Sequence, residues 1–165
     1  MPIDFFQDVC KTESSVKKFG LCDDPPPAEK PAYIDENDSS KWIAEVQNEN
    51  EIAIEFYAVD HCVEVRRPDN KRARRCDGIL KYSNDLMFVE LKDRGHTGWV
   101  VGGRKQLTET VAFLTANHDI TVYTNIHARI CNKQRPLAVT NCMTEVQMFK
   151  DDTTLTLIID RTIII

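Results

Sequence analysis

From residue 51 onward, apolar and polar side chains alternate. Ile52, Ile54 and Phe56 fall on one side of the chain, and Ala53, Glu55 and Tyr57 on the other. A period of two belongs to a strand, and it predicts β-structure over 51–57. Cys62–Val65 reads as a second short strand, with Pro68-Asp69-Asn70 as the turn that follows. Two further runs, Asp77–Leu80 and Phe88–Lys92, flank the polar stretch Ser83-Asn84-Asp85, the pattern of a hairpin. With Asn84 and Asp85 as a two-residue loop, Asp77 lies opposite Lys92 and Ile79 opposite Glu90. Val89 and Leu91 then point into the core, while Asp77, Glu90 and Lys92 share the other face.

The period changes after residue 103. Leu107, Val111 and Leu114, widened by Phe113, form a helical stripe that predicts a helix over Arg104–Ala116. Gln106 and Thr110 share a row beside that stripe. Before it, Gly98 and Gly103 have the spacing of a phosphate-cradling loop, but Arg104-Lys105 stands where Lys-Ser or Lys-Thr is needed. The stretch from Gly95 to Gly103 is instead expected to be a mobile loop edging a site, with His96 or Trp99 against substrate. A strand over 120–126, a short helix over 144–149 and a closing strand over 154–159 complete this half.

Toward the N-terminus the pattern weakens. A short helix is expected over 3–9. Residues 20–38 hold Pro25-Pro26-Pro27, Pro31 and several acids, which reads as an extended arm. Asp38-Ser39-Ser40 offers N-caps to a helix bearing Trp42, Ile43 and Val46 and ending near residue 50. The expectation is an arm over 1–38 and one domain over 39–165. Its fold class is α/β (α+β), a mixed central β-sheet flanked by helices.

Composition adds bounds. With 165 residues, 42% of them hydrophobic, the chain can bury one proper core. No apolar run approaches the roughly 20 residues needed to cross a bilayer. The N-terminus lacks a basic, apolar leader pattern, so the cytoplasm is the expected compartment. The six cysteines show no C-x-x-C spacing. They are expected to be reduced, mostly buried thiols, and the spacings of Cys62, Cys76, His61 and His96 match no compact zinc motif.

The net charge of −5 hides an asymmetry. Residues 1–60 carry 14 acidic and 5 basic side chains, whereas residues 66–105 carry 11 basic and 5 acidic. Arg66, Arg67, Lys71, Arg72, Arg74 and Arg75 crowd just ahead of Asp77, and Arg104 and Lys105 follow the glycines. A local basic patch beside carboxylates suits contact with phosphate.

Asp77, then Glu90-Leu91-Lys92, then Gln106 on the following helix resembles the PD-(D/E)xK nuclease superfamily over about residues 40–127. Cys76 stands where the motif's name has proline, and Val111 follows Thr110 where one branch has tyrosine nearby. The resemblance implies a restriction-endonuclease-like fold and a nuclease, acting more on DNA than on RNA. Magnesium or manganese would be held by Asp77, Glu90 and the Leu91 carbonyl, with Glu45 as the upstream acid and Glu55 behind it. Lys92 would orient or deprotonate water, and Gln106 would position water or phosphate. Many such nucleases cut duplexes as homodimers. The alternative is a non-catalytic module on the same fold, docking a protein partner (a toxin, helicase or other defence-system subunit) through its acidic N-terminal third.

Overall fold

Two β-sheets share one buried seam in the computed structural model, which describes residues 1–135 and 142–165. The larger sheet has six strands in the order β1-β5-β6-β7-β8-β9, where β1 is Lys11–Ser14, β5 Ile54–Ala58, β6 Gly78–Tyr82, β7 Asp85–Lys92, β8 Asn125–Asn132 and β9 Thr156–Ile159. Within it β1-β5-β6-β7 pair antiparallel, and β7-β8-β9 pair parallel. The smaller sheet runs β10-β4-β2-β3, from Thr162–Ile164, Ala44–Gln47, Lys18–Cys22 and Tyr33–Asp35. Helix α1 (Trp99–Asn117) links β7 to β8, and α2 (Met143–Thr153) precedes β9. The fold class is therefore mixed α/β, as the patterning implies. No helix among the described residues is long and apolar enough to cross a membrane.

Strand alternation divides the core in two. Ile79, Leu86 and Phe88 face the helices with Leu107, Val111 and Leu114. Leu80, Met87, Val89 and Leu91 face the smaller sheet with Phe19, Leu21, Ala44 and Val46. Both faces of β6 and β7 are thus covered, which is why β7 is almost continuously buried. Gly78 is required by this packing. A Cβ built there comes within 2.2 Å of the Phe56 ring. Gly78→Ala is expected to destabilise the fold by on the order of 3 kcal/mol in urea unfolding, and a loss under about 1 kcal/mol would contradict that packing.

Several expectations are corrected. Residues 1–38 are no arm, because β1 edges the large sheet and β2 and β3 build the small one. The helix expected over 3–9 is a single 3-10 turn, Asp8–Cys10. Asp38 does cap, its carboxylate accepting the Ser40 N–H, but the turn it caps is Ser39–Lys41 and the chain then extends as β4. Ala44 and Val46 alternate inward there, and pairing with β2 and β10 outweighs the short Trp42/Ile43/Val46 stripe. Residues 62–65 form no strand. They follow a turn closed by the Cys62 and Val63 N–H groups on the Val59 carbonyl.

Downstream, α1 begins at Trp99, after Gly98 at φ 93°, so the expected glycine loop is partly the first helical turn. The strand placed at 120–126 starts instead at Asn125. Cys10 and Cys62 form a disulfide, against the expectation of free thiols. Cys22, Cys76, Cys131 and Cys142 are not in disulfides, and all four are buried.

Candidate functional site

The hairpin turns one residue earlier than the spacing suggests. Tyr82 pairs with Asp85, leaving Ser83-Asn84 as the loop, and Ser83 takes the left-handed φ of 49°. The register slides by two, so every side chain keeps its expected face. Asp77, one step before the Gly78–Val89 pair, now faces Glu90 rather than Lys92. The three charged groups still converge on the helix-facing side.

Their contacts are direct. The Asp77 N–H donates to Glu90 Oε2 at 3.2 Å, and the Leu91 N–H donates to Asp77 Oδ2 at 2.6 Å. Lys92 Nζ lies 2.8 Å from Glu90 Oε1 and donates to Gln106 Oε1 at 2.7 Å. Gln106 Nε2 in turn donates to the Arg75 carbonyl at 3.1 Å. Sequence spacing alone did not single out Thr110 for the site. Its hydroxyl receives the Cys76 N–H at 2.8 Å and donates to the Gln106 carbonyl, pinning the start of β6 to α1. The signal was its place one turn after Gln106. Gly103 lets α1 come close enough for these contacts, since a Cβ there would sit 2.9 Å from Ile130 and 3.4 Å from Glu90.

Burial sets the electrostatics. Asp77 is 8% exposed and Glu90 1%. Burial, then the facing Glu90 and nearby Asp23, push the Asp77 carboxyl well above the usual range. Burial pushes Glu90 up to about 7 against the pull of Lys92. The carboxylates open onto a pocket of about 270 Å³ whose wall includes Asp23, Asp24, Pro25, Pro26, Asp60, Asp93 and Arg94 beside Leu91, Lys92 and Gln106. Burial and Asp60 hold the Asp23 carboxyl above its ordinary value too. Asp23 and Asp60 come from the β2–β3 connection and the turn after β5. Their place in the site depends on sheet pairing far from the motif.

Other candidates lie elsewhere. Glu45 stands on β4 in the smaller sheet, 3.4 Å from Lys18, and does not line the pocket. Glu55 receives the Tyr57 hydroxyl. Trp99 is buried in the helix-side core, and with His96 it lines a different cavity beside Arg135. Arg104 is buried between Glu145 and Asp152, joining α1 to α2 instead of facing solvent, while Lys105 is exposed on α1. Within the basic segment, Arg67 grips Glu109 through two hydrogen bonds of 2.6 and 2.9 Å. Arg66 pairs with Glu64, Lys71 with Asp69 and Arg75 with Asp60, while Arg72 is exposed.

Among the described residues, no three His, Cys, Asp or Glu side chains group so as to hold a metal ion. What the pocket offers is a facing pair of hard carboxylates beside the Leu91 backbone. One lysine leaves that pair short of positive charge. A donor set of this chemistry fits a magnesium-type cation that completes its shell with water or phosphate oxygens. No protein-family model, curated protein or solved structure gives a significant match to the chain.

Proposed function

We propose that this protein is a metal-dependent nuclease that hydrolyses phosphodiester bonds, with DNA as the favoured substrate. The observation that carries the reading is the convergence of Asp77, Glu90, Lys92 and Gln106, from two strands and the next helix, in one pocket. The element order supports it as well. An antiparallel β5-β6-β7 meander, a crossover helix and a parallel β8 is compatible with the restriction-endonuclease-like core that the motif implies.

Asp77 and Glu90 would hold magnesium or manganese, together with the Leu91 carbonyl. A bound cation there would lower the pKa of a coordinated water and offset charge on the phosphate. The chain's own groups do the rest. Lys92, fixed between Glu90 and Gln106, places a donor where a water or a phosphate oxygen must sit. Gln106, anchored through its amide to Arg75, sets the position of that ammonium. Burial of the two carboxylates themselves limits their contact with bulk water.

Incubation of plasmid and single-stranded DNA with the full chain and either magnesium or manganese tests the reading. Cleavage is expected, and it should disappear with EDTA. Absence of cleavage across both substrates and both metals would refute it.

A second reading draws on the acids Asp23, Asp24, Asp60 and Asp93 around the pocket and on the pairing of most arginines with local carboxylates. This acidic rim favours a non-catalytic module that docks a basic protein partner. That reading predicts neither cleavage nor saturable binding of manganese.

A further inference from the structure

A second depression of about 340 Å³ shares Asp60 and Gln106 with the carboxylate pocket and is bounded also by Ala73, Arg74, Arg75 and Gly102. We propose that this depression is a phosphate subsite, holding the backbone phosphate adjacent to the one attacked, with Arg74 as its principal cation. The inference rests on the nuclease reading and adds to it where the strand runs.

Charge is the first argument. Asp60, the one acid lining the depression among the described residues, is neutralised by Arg75 at 2.9 Å. Arg74 keeps over half of its side chain exposed. Its contact with Glu109 is 3.8 Å long, and that carboxylate is already gripped by Arg67. The Arg75 side chain is nine-tenths buried, and its Nε–H finds no acceptor among the described residues. The depression therefore has excess positive charge, unlike the carboxylate pocket next to it. That order suits a phosphodiester backbone, with metal-binding acids at the reacting phosphate and a cation at its neighbour.

Shape is the second argument. Glycine is among the poorest helix formers, yet Gly102 lies in the first turns of α1. Packing among the described residues does not demand it, because a Cβ built at Gly102 meets none of their heavy atoms within 4 Å. Its neighbour Gly103, by contrast, is held against Ile130 and Glu90. The missing side chain at 102 leaves the depression open.

That contrast supplies a test in which folding and binding separate. Gly102→Leu should keep or raise the thermal midpoint, since leucine favours helix and has room, while filling the subsite. Binding of a fluorescein-labelled twelve-nucleotide DNA strand is measured by anisotropy in EDTA, so no cleavage intervenes. Gly102→Leu and Arg74→Ala are each expected to weaken binding by about 5- to 10-fold, and Arg74→Ala to lower the salt slope by about 1. Lys150→Ala, on α2, should bind as the wild type does. Unchanged affinity in either subsite variant overturns the subsite. If the wild type still cleaves plasmid, the nuclease reading survives that failure. A wild-type chain that neither binds the strand nor cleaves overturns both.

Discussion

Glu90→Gln and Lys92→Met are each expected to slow manganese-dependent plasmid cleavage by about 100- to 1000-fold. The two changes act on one contact from opposite sides. Glutamine keeps the shape of residue 90 but removes the charge that faces Asp77. Methionine keeps the stem of residue 92 but removes the donor fixed between Glu90 Oε1 and Gln106 Oε1. Because the groups act as a unit, the double variant should be little worse than either single one. Glu45→Gln provides the contrast. Its carboxylate lies on the smaller sheet beside Lys18, so cleavage should persist at the wild-type rate. A large loss at Glu45, or a mild effect at both Glu90 and Lys92, would show that the pocket is not where hydrolysis occurs.

The second large effect concerns stability. In EDTA, the fold is expected to lose on the order of 3 kcal/mol as pH rises from 4.5 to 7, with Glu90 as the main source. An unfolded glutamate ionises near 4.5, whereas burial raises Glu90 in the native state to about 7. Between those values the native protein binds the extra proton, so stability falls with rising pH and levels off above the window. Asp77, also raised, adds a contribution of the same sign. Urea unfolding at several pH values measures the slope, and Glu90→Gln should flatten it. Saturating manganese should offset the loss at neutral pH, because the cation favours the ionised pair and releases its protons. Stability that rises across this window would contradict the assigned burial.

Which parts of this were legible in the sequence follows from the range of the forces involved. The β6–β7 faces were legible because alternation is local, and even a loop misplaced by one residue slid the register by two and kept every face. The α1 stripe was legible for the same reason, although Gly98 rather than Arg104 marks its start. The smaller sheet was not. Phe19, Gly20, Leu21 and Cys22 are buried on both sides, so β2 shows no alternation, and the prolines after it conceal its return as β3. Trp42, Ile43 and Val46 fit a helix until β2 and β10 are available as partners.

The site divides along the same line. Asp77, Glu90, Lys92 and Gln106 lie within thirty residues and one supersecondary unit. Asp23 and Asp60 reach the pocket only through pairings that no spacing reveals. The Cys10–Cys62 bridge spans 52 residues and depends on β1 lying beside β5. The basic run looked like an uncommitted patch because its acids Glu109 and Asp60 are far away or on another turn. Arg74 stands out only once those pairs are known.

On the nuclease reading, Asp77 and Glu90 form a cation-binding pair in the folded chain. Calorimetric titration of manganese into the metal-free protein near pH 7.5 tests it most directly. A saturable site is predicted that is lost in Asp77→Asn and weakens as pH falls below about 7, where Glu90 takes up its proton. No saturable heat, or heat identical in Asp77→Asn, would contradict the account.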